Sequence, residues 1–209
     1  MGKKIAIIGN GTINNKKFHE RILKDYDIII CADGGATNAR KMNITPDYII
    51  GDLDSTTNEI LNFFKHNNTK IIKDENQDKT DMELAINLAE KLKPDEIIIM
   101  GAIGYRIDHT IANILCLDKI KSNIKTKIID DKNIIEIVDN EKNIEGKKDD
   151  IISIIALTDV VDLSYKGMNW LVKNKDVKFG WFGISNTLKG KKAKVTLKKG
   201  KILILRVRD

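Results

Sequence analysis

The chain has 209 residues, 42% of them hydrophobic and 32% charged, which is the make-up of an ordinary soluble globular protein with room for one large domain or two small ones. A length of this order buries roughly 70% of the unfolded surface. Net charge is +6, from 36 basic against 30 acidic residues, and only 5% of the chain is aromatic. The basic residues are scattered and mostly lysine, with no arginine-rich stripe and few rings to stack bases on, so no nucleic-acid partner is expected. Cys31 and Cys116 each lie in an apolar run and read as reduced core residues of a cytoplasmic protein, without disulfide or zinc spacing. The start Met1-Gly2-Lys3-Lys4 leads directly into a strand, so no signal peptide and no membrane partner are expected.

Ile5-Ala6-Ile7-Ile8 reads as a first buried strand, running out into Gly9-Asn10-Gly11-Thr12. This Gly-x-Gly is either a backbone cradle near a nucleotide or a tight turn into the next helix, because the third glycine of a dinucleotide fingerprint is replaced by Asn14. A helix follows over residues 16–24, with His19 on its surface. A second strand, 27–31, ends in Ala32-Asp33-Gly34-Gly35, where free N–H groups at a helix start could receive an anion or Asp33 could simply cap the helix. The third strand, Tyr48-Ile49-Ile50, leads into Gly51-Asp52-Leu53-Asp54-Ser55. In extended geometry Asp52 and Asp54, two apart, point the same way. A helix over 57–65 precedes His66, a surface or helix-end residue, and then a short strand at 70–73.

The second acid-rich stretch runs from Asp74 to Glu83 and opens a helix over 81–92. Thr80 and Glu83 have capping-box spacing, and Asp81 at the helix start is favourable for dipole reasons alone. The next strand, 96–100, ends in Gly101-Ala102-Ile103-Gly104-Tyr105-Arg106-Ile107-Asp108-His109 before a helix over 110–120. Arg106 and Asp108 could pair only with each other, and His109 taken alone reads as structural. From Lys125 the rhythm changes to short strands, at 126–129, 134–138, 151–156, 160–165, 177–179, 192–197 and 201–207, separated by polar turns such as 140–150. The fold class is therefore α/β: a mostly parallel, doubly wound (Rossmann-like) sheet over 1–135, then an antiparallel β-sandwich over 136–209.

A parallel sheet gathers its strand exits on one edge, and these exits carry Asp33, Asp52, Asp54, Asp78, Asp81 and Asp108. Two carboxylates about 4 Å apart repel by roughly 4 kcal/mol at an effective dielectric of 20. Lys79 and Arg106 are too few to neutralise the group. A divalent cation resolves the deficit, and aspartates without histidine or cysteine favour Mg²⁺, which takes one or two carboxylates plus phosphate oxygens.

In this order, Asp33-Gly34-Gly35, Gly51-Asp52-Leu53-Asp54-Ser55, Gln77-Asp78-Lys79-Thr80-Asp81 and Gly104-Tyr105-Arg106-Ile107-Asp108-His109 resemble the motifs of thiamine pyrophosphokinases. The likeness extends to Gly167-Met168-Asn169-Trp170, Gly183-Ile184-Ser185-Asn186 and the ending Arg206-Val207-Arg208-Asp209. The resemblance implies pyrophosphoryl transfer from ATP to thiamine with Mg²⁺, in a homodimer whose thiamine site lies at the subunit interface. It implies Asp52, Asp54 and Asp81 as metal ligands and as catalytic residues together with Arg106 and Asp108. Asp33, Gly34, Gly35, Gln77, Asp78 and Thr80 are implied at the nucleotide and its phosphates, and Ser185, Asn186 and Trp181 at thiamine. Tyr105 stands where the family usually has glycine, and the run over 179–183 is shorter than usual. The alternatives are a pyrophosphokinase acting on another hydroxymethyl heterocycle such as a pterin, or a non-catalytic nucleotide-binding protein.

Overall fold

The isoleucine-rich runs of the first half become the strands of one parallel sheet. In the computed structural model, which describes residues 2–74 and 78–207, two units divide the chain, Met1–Asp131 and Lys132–Asp209. The first contains β1 (Lys4–Ile8), β2 (Ile28–Ala32), β3 (Tyr48–Gly51), β4 (Lys70–Lys73), β5 (Glu96–Met100) and β6 (Lys125–Ile129). They are ordered β6-β5-β1-β2-β3-β4, and each neighbouring pair is parallel. Ile5, Ile7, Ile8 and residues 97–100 are fully buried, which is why these strands carry no polar alternation. Five helices alternate with the strands: α1 (Lys16–Leu23), α2 (Gly35–Lys41), α3 (Asn58–His66), α4 (Asp81–Lys91) and α5 (Ile107–Cys116).

The strand at 126–129 belongs to the parallel sheet, paired with β5 from Glu96↔Lys125 to Ile99↔Ile128, and not to the antiparallel region. Helix α5 starts at Ile107, because extended Arg106 takes the N-cap position; Asp108 and His109 therefore stand on its first turn. His19 is fully buried rather than on the surface. Its Nε2 bonds Asp131 Oδ1 at 2.9 Å, and the same carboxylate accepts the Asn14 and Asn15 N–H groups, which draws α1 inward.

Strand order reverses at β1, which is flanked by β2 and β5, so the ligand-binding position of such a sheet lies beyond its carboxyl end. The exits of β1 and β5 are tied together there. Gly9 N–H donates to Met100 O at 2.8 Å, Gly11 N–H to Gly101 O at 2.7 Å and Thr12 N–H to Ile103 O at 2.8 Å. The Asn38 amide donates to Gly9 O and Gly11 O, both at 2.9 Å. A Cβ on Gly11 would stand 2.4 Å from Ile103 O, so this glycine serves loop-to-loop packing.

The second unit holds β7 (Asn133–Val138), β8 (Glu141–Glu145), β9 (Ile151–Ala156), β10 (Val160–Lys166), β11 (Val172–Val177), β12 (Phe182–Thr187), β13 (Lys192–Thr196) and β14 (Ile202–Val207). They form antiparallel layers ordered β12-β9-β14-β7 and β11-β10-β13-β8. Ile152, Ile154, Leu163, Val195, Ile202 and Ile204 fill the core, with side chains drawn from both layers as in a β-sandwich. Strands β8 and β12 were not expected, and the strand placed at 177–179 ends at Val177, after which the chain turns through Gly180 at φ +80°. Among the described residues no helix is long and apolar enough to cross a membrane.

Candidate active site

At the carboxyl ends of the parallel strands lies a cavity of about 490 Å³. Its lining includes Gly9 and Asn10 after β1, Asp33 and Gly34 after β2, Asp52 and Ser55 after β3, and Asp74 after β4. The start of α4 adds Lys79, Thr80 and Asp81, and α5 adds Asp108, His109, Ala112 and Asn113.

Asp33, Asp52 and Asp81 each bring a carboxylate oxygen to within 4.8 Å of the others. Asp33 is buried, and its two oxygens accept the Ser55 N–H and the Thr56 hydroxyl, each at 2.9 Å. Gly51 makes the meeting possible: at φ +152°, a Cβ there would fall 2.5 Å from Asp81 Oδ1 and 2.8 Å from Asp33 Cβ. Burial, then the charges of Asp33 and Asp52, push the Asp81 carboxyl up to about 6, against which the Asp52 N–H works in part. Carboxylates at such separations repel by roughly 3 kcal/mol per pair at an effective dielectric of 20. Among the described residues no lysine or arginine forms an ion pair with any of the three. An all-oxygen, triply anionic donor set of this kind fits a hard divalent cation such as Mg²⁺.

The expected trio contained Asp54 in place of Asp33. Leu53 adopts φ +68°, which breaks the extended geometry that would aim Asp52 and Asp54 the same way. Asp54 is exposed, accepts the Ser55 hydroxyl at 2.9 Å and stands outside the cavity lining. Sequence reasoning assigned Asp33 to the nucleotide; its burial against the β3 exit was visible only in three dimensions.

Thr80 and Glu83 form the capping box: Glu83 N–H donates to Thr80 Oγ1 at 3.3 Å and Thr80 N–H to Glu83 Oε2 at 3.0 Å. That fixes the turn from which Asp81 projects, and Glu83 is further tied to Lys119 at 2.5 Å. Gly34 lines the cavity, whereas Gly35 lets α2 lie against β1, a Cβ there falling 1.9 Å from Ile8 O. Asp78 is not part of the lining, and Gln77 lies outside the described residues, as do Arg208 and Asp209.

At the N-terminus of α5, the capping residue Arg106 donates twice to Asp108, at 3.0 and 2.5 Å, and this bidentate bond holds the Asp108 carboxyl well below the usual carboxylate range. Both side chains are more than half exposed, and Asp108 but not Arg106 lines the cavity. Asn113 donates to Ala102 O at 2.8 Å, bracing the β5 exit.

Within the second unit, Ser185 is exposed at φ +59° in a bulge of β12, and its N–H donates to Ser153 Oγ at 3.1 Å. Asn186 is buried, with its amide engaged by the backbone: Oδ1 accepts the Trp170 N–H at 3.0 Å and Nδ2 donates to Trp170 O at 2.8 Å. The Trp170 ring it anchors is 73% exposed, while Trp181 packs against the sandwich core. The exposed tryptophan was the one that sequence reasoning left without a role.

The family model for the thiamin pyrophosphokinase catalytic domain matches residues 19–129, and that for the thiamin pyrophosphokinase vitamin B1 binding domain matches residues 132–202. The chain belongs to the thiamin pyrophosphokinase family. The catalytic-domain match contains Asp33, Asp52, Asp81 and Asp108, and the B1-binding match contains Trp170, Trp181, Ser185 and Asn186. The thiamine pyrophosphokinase of Bacillus subtilis is 30% identical over 216 aligned positions, covering 99% of this chain and all of that protein. A crystal structure of thiamine pyrophosphokinase from Bacillus subtilis superposes with a TM-score of 0.87 at 28% identity, over 99% of this chain and 100% of that one. An Enterococcus faecalis thiamin pyrophosphokinase family protein shares the fold with a TM-score of 0.84 at 22% identity, covering 99% of both chains.

Proposed function

We propose that this thiamin pyrophosphokinase family member transfers the pyrophosphoryl group of ATP to the hydroxyl of thiamine, forming thiamine diphosphate and AMP. The observation that carries the reading is the Asp33–Asp52–Asp81 cluster, set in a cavity at the carboxyl edge of a parallel sheet. Those three carboxylates would hold Mg²⁺, with Asp33 oriented by Ser55 and Thr56. When bound, the ion supplies the positive charge that offsets the phosphate oxygens. Thr80, Lys79 and Asn10 offer hydrogen-bond donors around the same cavity for the polyphosphate. Arg106, still bonded to Asp108 through Nε and Nη2, would offer its remaining Nη1 group to a phosphate oxygen. Catalysis is then mainly positioning and charge neutralisation around an in-line displacement at the β-phosphorus.

For thiamine the favoured surface is exposed Ser185 together with the exposed Trp170 ring, linked through Asn186, which holds the Trp170 backbone. Trp181, packed into the core, contributes from behind. A homodimer is proposed from two exposed apolar surfaces: Tyr105, Ile107, Ile111 and Leu115 in the first unit, and Trp170, Leu171, Phe179, Phe182 and Ile184 in the second. Large apolar side chains left exposed at helical spacing along α5 and along residues 170–184 suit an interaction surface. A subunit-interface thiamine site and a cytoplasmic location complete the reading. AMP formation from ATP and Mg²⁺ should require thiamine, fail with hydroxymethyl-pterin, and fall at least about 100-fold in Asp52→Asn, the scale typical of losing a charge-stabilising group. Thiamine-independent AMP, or near-normal turnover by Asp52→Asn, would rule the assignment out.

A further inference from the structure

Deepening that same reading, we propose that His109 is the proton acceptor for the attacking hydroxyl of thiamine. The reaction needs one: as the alcohol oxygen bonds the β-phosphorus and the bond from that phosphorus to the bridging oxygen breaks, AMP departs with the electron pair and the hydroxyl proton must go elsewhere. The imidazole stands on the first turn of α5, exposed, and lines the cavity beside Asp108. Among the described residues its ring nitrogens form no hydrogen bond with another protein group.

The other groups facing this cavity are poorer acceptors. Both Asp33 oxygens already accept from Ser55 and Thr56. Asp52 and Asp81 complete the cation cluster with Asp33. Asp108 is clamped by Arg106 through two hydrogen bonds, which lowers its basicity. Lys79 offers only donors when charged, and Asp74 leaves β4 at the edge of the sheet, on the other side of β1 from β5 and α5. Imidazole is the side chain suited to this task at physiological pH. In the reaction a ring nitrogen of neutral His109 takes the hydroxyl proton, and the imidazolium later releases it to solvent.

The test compares wild type, His109→Gln and His109→Ala in thiamine- and Mg²⁺-dependent AMP release across pH, with ATP·Mg²⁺ affinity followed by calorimetry and folding by thermal melting. Both variants should keep the wild-type melting temperature and nucleotide affinity while kcat falls 10²- to 10⁴-fold. The acid limb of the wild-type kcat profile should vanish, since a protonated imidazole cannot accept a proton, and added imidazole should restore turnover to His109→Ala. A kcat within threefold of wild type overturns the proposal. So does a loss confined to KM, or an acid limb that persists in both variants. Wild-type protein that releases no AMP with thiamine would instead remove the reading on which this role rests, and the role with it.

Discussion

Asp81 is partly withdrawn from water and pressed by two neighbouring carboxylates, so in metal-free protein its charge works against folding. Asp81→Asn keeps the shape and removes that repulsion. The metal-free variant is expected to melt higher than wild type, by about 1 kcal/mol of stability, while losing AMP formation, the trade-off usual for functional acids. A variant that melts below wild type when both are held metal-free by a chelator would show that the carboxylates are not mutually repelling. At this scale the sequence was informative about residue type and less so about partnership. That aspartates at strand exits converge follows from a parallel sheet, but which three meet depends on the left-handed backbone of Leu53 and the burial of Asp33 behind β3. His19 was misplaced for a related reason, since its partner Asp131 is more than a hundred positions away in the chain and no local pattern announces it.

Among the elements, α4 matters most for geometry, because its first turn carries Thr80 and Asp81 into the cavity. Thr80→Ala removes the capping acceptor and should cost about 1 kcal/mol in urea unfolding, with a higher Mg²⁺ requirement for turnover as Asp81 loses its fixed launch point. Unchanged unfolding together with unchanged Mg²⁺ dependence would mean that the cap does not organise this turn. The buried strands were readable because a doubly covered strand is an unbroken apolar run. The missed strands look like loops for the opposite reason. In β8 only Ile144 is buried, β12 turns Phe182 and Ile184 outward, and β11, expected only at its Val177 end, buries nothing else, so none shows a core-facing alternation. Helix α5 begins three positions before its expected start, since Arg106 caps it without any of the small polar residues that usually signal a helix start.

For the molecule as a whole, the outward apolar residues set the assembly question. Ile107, Ile111 and Leu115 recur at helical spacing along α5, on the helix that also lines the cavity with Asp108 and His109. Light scattering after size exclusion should report a dimer for wild type, and Ile111→Asp or Phe182→Asp should shift it toward monomer with weaker thiamine saturation. A monomeric wild type with full activity would confine the site to one chain.

The exits of β1 and β5, stitched together at Gly9, Gly11 and Gly101 and fastened by Asn38, have a bearing on motion. A hem sewn to its neighbour cannot fold over cargo. This side of the cavity therefore meets an incoming nucleotide as a fixed wall, already in the shape it keeps when filled.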